Sequence, residues 1–131
     1  MANEKLAIFK KWQPGFYVLF RVIVGLTFFF HGVGKFTGGS PQGLMLAAGI
    51  IEVLVGAGVF FGVFSRLAAL GGALTMLVAF FKVHVASSGS LNIITNGGEL
   101  AVLYFLVFLM IMALGNGKWS LERAALKKET F

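Results

Sequence analysis

Four long apolar runs separated by short turns constrain this chain more than any other feature. A helix that crosses a bilayer needs ~20 mainly apolar residues. Residues 16–36, 43–61, 66–86 and 97–114 each approach that length. Turn-forming residues bound them: Pro14-Gly15, Thr37 to Pro41, Gly62 to Ser65, Ser87 to Asn96, and Gly115-Asn116-Gly117. The expected fold is all-α, a polytopic membrane protein in which one domain over residues 1–131 forms a bundle of four transmembrane helices. Composition agrees. The chain is 58% hydrophobic and 12% charged, whereas soluble domains are usually ~25% charged.

The net charge of +6 does not point to nucleic acid, because the basic residues flank the apolar runs. Lys5, Lys10, Lys11, Arg66, Lys118, Arg123, Lys127 and Lys128 fall on one side of a four-span topology, and only Lys35 and Lys82 on the other. That asymmetry is the positive-inside signature and predicts both termini in the cytoplasm. The basic start and first apolar run lack a small-x-small cleavage site, so the run is expected to be a retained helix rather than a signal peptide. The chain has no cysteine. Disulfides, CxxC redox chemistry and thiolate metal sites are therefore excluded.

Local signals set the expected boundaries. Residues 1–14 read as an amphipathic lead-in that Pro14-Gly15 separates from the first span. Ser40 with Pro41 after it, and Ser65, are expected N-caps. Asn96 with Glu99 resembles a capping box. Gly49, Glu52, Gly56 and Val59 share a face of the second span, and Gly58 and Gly62 form a GxxxG pair that lets helices approach closely in lipid. Trp119 reads as an interface anchor, and the tail after it as one or two amphipathic turns.

The functional signal lies in ionisable residues within the spans. Arg21, Gly25, Phe28, Gly32 and Lys35 are spaced by four, three, four and three, which aligns them on one helix seam. A charge in hydrocarbon costs at least ~2.5–3.5 kcal/mol on insertion scales, so this seam is expected to face protein or a wet cavity. His31, Lys35, Glu52, Lys82, His84 and Glu99 gather in the outer half, with Arg21 alone in the cytoplasmic half. Glu52 is a natural partner for Arg21 or Lys35, and Glu99 for Lys82 or Lys35. Basic side chains near helix ends also snorkel to the interface, and a buried pair can simply fix helix register. Gly71, Thr75, Val78 and Lys82 share a seam of the third span, and His84 is expected to face away from it. The two histidines therefore do not read as a haem pair, and the dispersed His and Glu residues show no metal-ligand spacing. Phe28, Phe29 and Phe30 beside His31 could grip a flat ring such as a quinone head.

These motifs together resemble the DoxX family. The carriers are R-x3-G-x2-F-x3-G-x2-K from Arg21 to Lys35, Gly49-x2-Glu52-x3-Gly56, GGE-L-A at 97–101 and the ending GNGKWSLER at 115–123. The resemblance runs from Gly15 to Arg123. It implies a four-helix protein of the prokaryotic cytoplasmic (inner) membrane, and Arg21, Lys35, Glu52 and Glu99 match the family's polar positions. It also implies association with redox complexes, since the family is named for a membrane subunit linked to thiosulfate:quinone oxidoreduction. No catalytic role follows for any residue.

The leading expectation is a redox-associated membrane subunit. A polar pocket built from His31, Lys35, Glu52 and Glu99, with Arg21 as a further ligand-binding candidate, would take a quinone or lipid-like molecule. The alternatives are a non-catalytic scaffold or assembly subunit docking through its glycine seams, and a small transporter or proton path. The expected partners are the lipid bilayer and either further copies of the chain or other subunits of a membrane complex.

Overall fold

The computed structural model describes residues 2–131. Helix α1 spans Ala2–Thr37, α2 Gly43–Phe61 and α3 Ser65–Ala79. Helix α3 runs without interruption into a π-helix, Phe80–Val85, and a last turn α4, Ala86–Ser88. Helix α5 spans Glu99–Leu114 and the short α6 Leu121–Leu126. Three of these rods are long and apolar enough to cross a membrane, and α5 is a shorter apolar helix. No strand occurs among the described residues. The large apolar side chains facing outward on all four rods are the surface expected against lipid.

Glycine decides how the helices pair. In lipid there is little hydrophobic drive between helices, so close approach of backbones matters more. Helices α1 and α2 meet through two glycines each, seven residues apart, in antiparallel register. Gly25 lies against the backbone of Gly56 and Phe60, and Gly56 against that of Phe29. Gly32 lies against Gly49 and Val53, and Gly49 against the Phe36 ring. Across the bundle, the Phe108 ring of α5 fills the space over Gly72 of α3. The core closes around Phe28, Val55, Val59, Ala73, Phe108 and Ile111. Phe28 meets Phe108 edge-on at 4.7 Å, which joins α1 to α5 through rings rather than backbones.

Several boundaries differ from expectation. Pro14 lies inside α1, so the lead-in is a continuation of the helix from residue 2; Met1 lies outside the described residues. A proline removes one backbone donor, and helices near and within membranes tolerate that loss. Helix α2 begins after Gln42, not at Ser40-Pro41, and Gln42 makes no side-chain cap. The cap of α3 is Phe64 in the left-handed region, and Ser65 is its first helical residue. Asn96 does not cap α5; its Oδ1 accepts from the Gly98 N–H at 2.7 Å, and the helix starts at Glu99. Gly62 does not serve a GxxxG contact. It ends α2 at φ 69°, and a Cβ there would strike the Arg21 guanidinium.

The glycine contacts give opposite expectations for two substitutions. Gly56→Ala places a methyl into the Phe29 backbone and should lower stability by about 1–3 kcal/mol, the usual cost of overpacking. Gly34→Ala, on the same helix pair but with open space around it, should be neutral or stabilising by up to about 1 kcal/mol. Thermal unfolding of both variants in one detergent checks the contrast in sign.

Candidate functional site

Helices α2 and α3 are joined by a three-residue turn and touch closely near it. Past Gly71, which still meets Val55, a cavity of about 840 Å³ occupies the end of the bundle away from the termini. Its walls are mostly apolar and come from all four rods. Its polar lining is His31 and Lys35 from α1, Gln42 and Glu52 at α2, Thr75 and His84 from α3 and its continuation, and Tyr104 from α5.

Lys35 and Glu52 form the charged corner. Lys35 Nζ donates to Glu52 Oε2 at 2.6 Å, with Glu52 3% and Lys35 22% exposed. This choice follows from the glycine register. Gly32 opposite Gly49 and Val53 leaves Lys35, one turn on, beside Gly49 and in reach of Glu52. Edge-on to the His31 ring, at 5.7 Å, stands Tyr104, whose hydroxyl donates to Thr27 Oγ1 at 2.7 Å. His84 enters from the other wall, together with Gly71, Thr75 and Val78, while Lys82 does not line the cavity. This corrects the expectation that His84 faces away from that seam. The π-helix over Phe80–Val85 bonds each residue to the fifth one on and widens the turn, and both Val83 and His84 line the cavity.

The structure thus brings His31, Lys35 and Glu52 together and adds His84, Thr75 and Tyr104. It does not bring Glu99 or Arg21 to them. Glu99 is exposed at the start of α5 and forms no ion pair with Lys82 or Lys35. Arg21 is 3% exposed at the opposite end. There Arg21 Nη1 donates to the Asn116 carbonyl.

That second polar cluster is built by the tail. Gly115 and Gly117 take φ of 72° and 74°, and these two positive-φ glycines fold Asn116 back under the bundle. The Oδ1 of fully buried Asn116 accepts from the Ser65 N–H at 3.2 Å, and its amide donates to Glu122, itself 3% exposed. Tyr17 donates to the Gly115 carbonyl at 2.5 Å. Arg66 caps α5 through the Met112 carbonyl at 2.9 Å and pairs with Glu129 at 2.9 Å. Arg123 pairs with the same carboxylate at 3.0 Å. Asn116 and Glu122 were not singled out from sequence. The signal was present in the Gly-Asn-Gly turn, whose two glycines around one amide residue mark a backbone that must double back.

The fold and the paired polar sites define a multi-pass helical membrane protein with a cavity at one end and a tail clasp at the other. The DoxX family model matches residues 16–85. An uncharacterized protein of Haemophilus influenzae is 37% identical over 130 residues, covering 91% of this chain and 97% of its own length. The chain belongs to the DoxX family. A Bacillus subtilis protein with the provisional name oxidoreductase CatD is 35% identical over 79 residues, covering 52% of this chain and 59% of that one. No solved structure matches significantly.

The tail clasp has a pH signature. Burial alone would raise the Glu122 carboxyl, but the polar groups around it, the Thr130 side chain, the Asn116 amide that donates to Oε2 and the backbones of Thr130 and Phe64, outweigh it and hold the group low. A lowered folded-state pKa gives stability that is full above the ordinary glutamate value of 4.5 and lost as pH falls through the folded value. Glu122→Gln should cost about 1.5–3 kcal/mol near neutrality, the range for hydrogen bonds to a charged group. Unfolding measured from neutral to acid pH should show the gap between the two proteins closing below the ordinary glutamate range. A gap that stays constant would mean the carboxylate charge contributes nothing.

Proposed function

We propose that the cavity binds the ring of a lipid-soluble quinone or quinol, and that the protein is the membrane subunit of a redox complex. The observation that carries this reading is the convergence of Lys35, Glu52, His31, His84, Thr75 and Tyr104 on one largely apolar space. A pocket with apolar walls and a few placed polar groups is the general form of a small-molecule site. Ionisable residues at membrane depth that face a cavity are functional candidates by default. Leu44 and Met45 of α2 and Leu74 and Val78 of α3 line the cavity and are also exposed on the lipid-facing surface. A mouth between α2 and α3 would admit a ligand from the hydrocarbon.

In this reading the cationic Lys35, held by Glu52, donates to one carbonyl oxygen of the quinone. His31 and His84 stand on facing walls to hydrogen-bond the ring oxygens and to pass protons. Reduction of a quinone to a quinol takes two electrons and two protons. The electrons would have to be supplied from a partner subunit, and these side chains would hold and pass the protons. The provisional name of the Bacillus relative supports a redox setting. The scaffold alternative has less support: Gly25, Gly32, Gly49 and Gly56 are all consumed inside the chain and offer no docking seam to another helix. We place the protein in the cytoplasmic membrane, with the tail clasp and its surrounding lysines on the cytoplasmic side.

Extraction from native membranes in mild detergent should yield stoichiometric quinone by mass spectrometry. Glu52→Gln and His31→Ala should each lose it while keeping helix content and elution volume. A protein that carries no quinone, or a Glu52→Gln variant that retains it fully, would remove this reading.

A further inference from the structure

A second, separate groove lies at the terminal end, between α1 and α5. It has a volume of about 510 Å³. Helices α1 and α5 meet through Phe28 and Tyr104 further up the bundle, and toward the termini the space between them stays open. Phe16 and Phe20 of α1 face Met110 and Leu114 of α5 across it, and Lys118 and Gln13 stand at its terminal end. The two walls run in antiparallel register, so the groove forms a strip that leads from the helix ends toward the bundle centre.

The level of the groove is marked. Trp12 and Trp119 are both exposed, and the Trp119 ring lies beside Gly15. Exposed tryptophans at one height are the aromatic belt of a membrane interface. The apolar strip therefore starts at the interface and descends into hydrocarbon, and its one cationic lining residue sits at headgroup height. Lys10 precedes Gln13 and Pro14 by three and four residues and so shares their helix face. Lys118 is not on a loose tail. Asn116, two residues before it, is fixed by Arg21, Ser65 and Glu122. Gly117 packs on the Tyr17 ring, where a Cβ would come within 2.6 Å.

We propose that this groove binds one anionic phospholipid. Its acyl chain lies along Phe16, Phe20, Met110 and Leu114, and its phosphate sits against Lys118 and Lys10. The charge of the headgroup end selects the occupant: a zwitterionic lipid gains less from two lysines, and an apolar partner helix would bury them against hydrocarbon. The inference rests on the membrane fold and is independent of what the larger cavity binds.

The test uses the full chain in mild detergent, read by native mass spectrometry with phosphatidylglycerol and phosphatidylcholine of matched chains. The wild-type protein should retain phosphatidylglycerol preferentially. Lys118→Gln should lower that retention about fivefold, and Lys10→Gln with Lys118→Gln about 25-fold, with phosphatidylcholine little changed. Both lysines are exposed, so these variants leave the core intact. Leu114→Trp, which fills the groove, should abolish retention of both lipids, whereas Glu52→Gln at the other end should leave it unchanged. Equal retention of the two lipids overturns the proposal. So does undiminished phosphatidylglycerol in the double lysine variant, or a dimer of this chain held at the groove in place of lipid.

Discussion

The contact on which the rest depends is the backbone approach of α1 and α2 at Gly25–Gly56 and Gly32–Gly49. Two helices in lipid gain little from hiding leucines, since the solvent is as apolar as the side chains. Removing side chains at the crossing lets dispersion between backbones act at close range. The same approach fixes the axial register, because Gly25, Gly32 and Gly56 each meet a particular backbone segment of the partner and Gly49 meets the Phe36 ring. The ion pair of Lys35 and Glu52 follows from that register. So does the cavity: with α1 bound tightly to α2 and α5 packed on α3 through Gly72, the two pairs meet near the α2–α3 turn, as far as Gly71 and Val55, and through rings in the middle, and they part beyond.

The Arg21–Lys35 seam therefore serves both ends of the molecule with one helix. Its glycines hold α2, its central Phe28 joins α5, and its two cations anchor different structures. Lys35 is paired with a carboxylate at the rim of a cavity. Arg21 is spent on a carbonyl of the tail turn. A guanidinium suits that role, since it stays charged in a buried setting and offers several donors to backbone oxygens. The tail in turn satisfies polar atoms of the α2–α3 turn and of its own doubled-back backbone through Asn116 and Glu129, while Arg66 of α3 donates to the Met112 carbonyl at the end of α5. The terminal carbonyls of a helix need partners, and here the protein supplies them at this end of the bundle in place of water.

Much of the cavity was legible before any coordinates. His31, Lys35 and Glu52 are expected at one end of the bundle because span order gives depth and helical spacing gives facing, and all three line the cavity there. His84 shows the exception. Its facing was read on an α-helical period, whereas the π-helix at Phe80–Val85 widens the turn there and His84 lines the cavity wall. Arg21 was legible as buried, but its partner was not. A carbonyl has no side-chain identity, so no search for complementary charges finds Asn116. Glu99 stays exposed at the start of α5, outside the cavity lining, where an acidic residue in the first helical turn suits the helix dipole without a cation from elsewhere.

The sequence alone determined that this is a bundle of apolar helices, though not that α1 runs through Pro14 to residue 2, and that α1 and α2 carry glycine stripes with ionisable residues beside them. These are properties of single segments, set by hydropathy, length and helical period. Tertiary structure decided which cation meets which carboxylate, that the glycine stripes are spent within the chain, and that the tail closes one end while a cavity opens at the other. Those outcomes depend on the axial register and splay of helices relative to each other, which are fixed only when backbone surfaces and left-over polar atoms from distant parts of the chain are satisfied together.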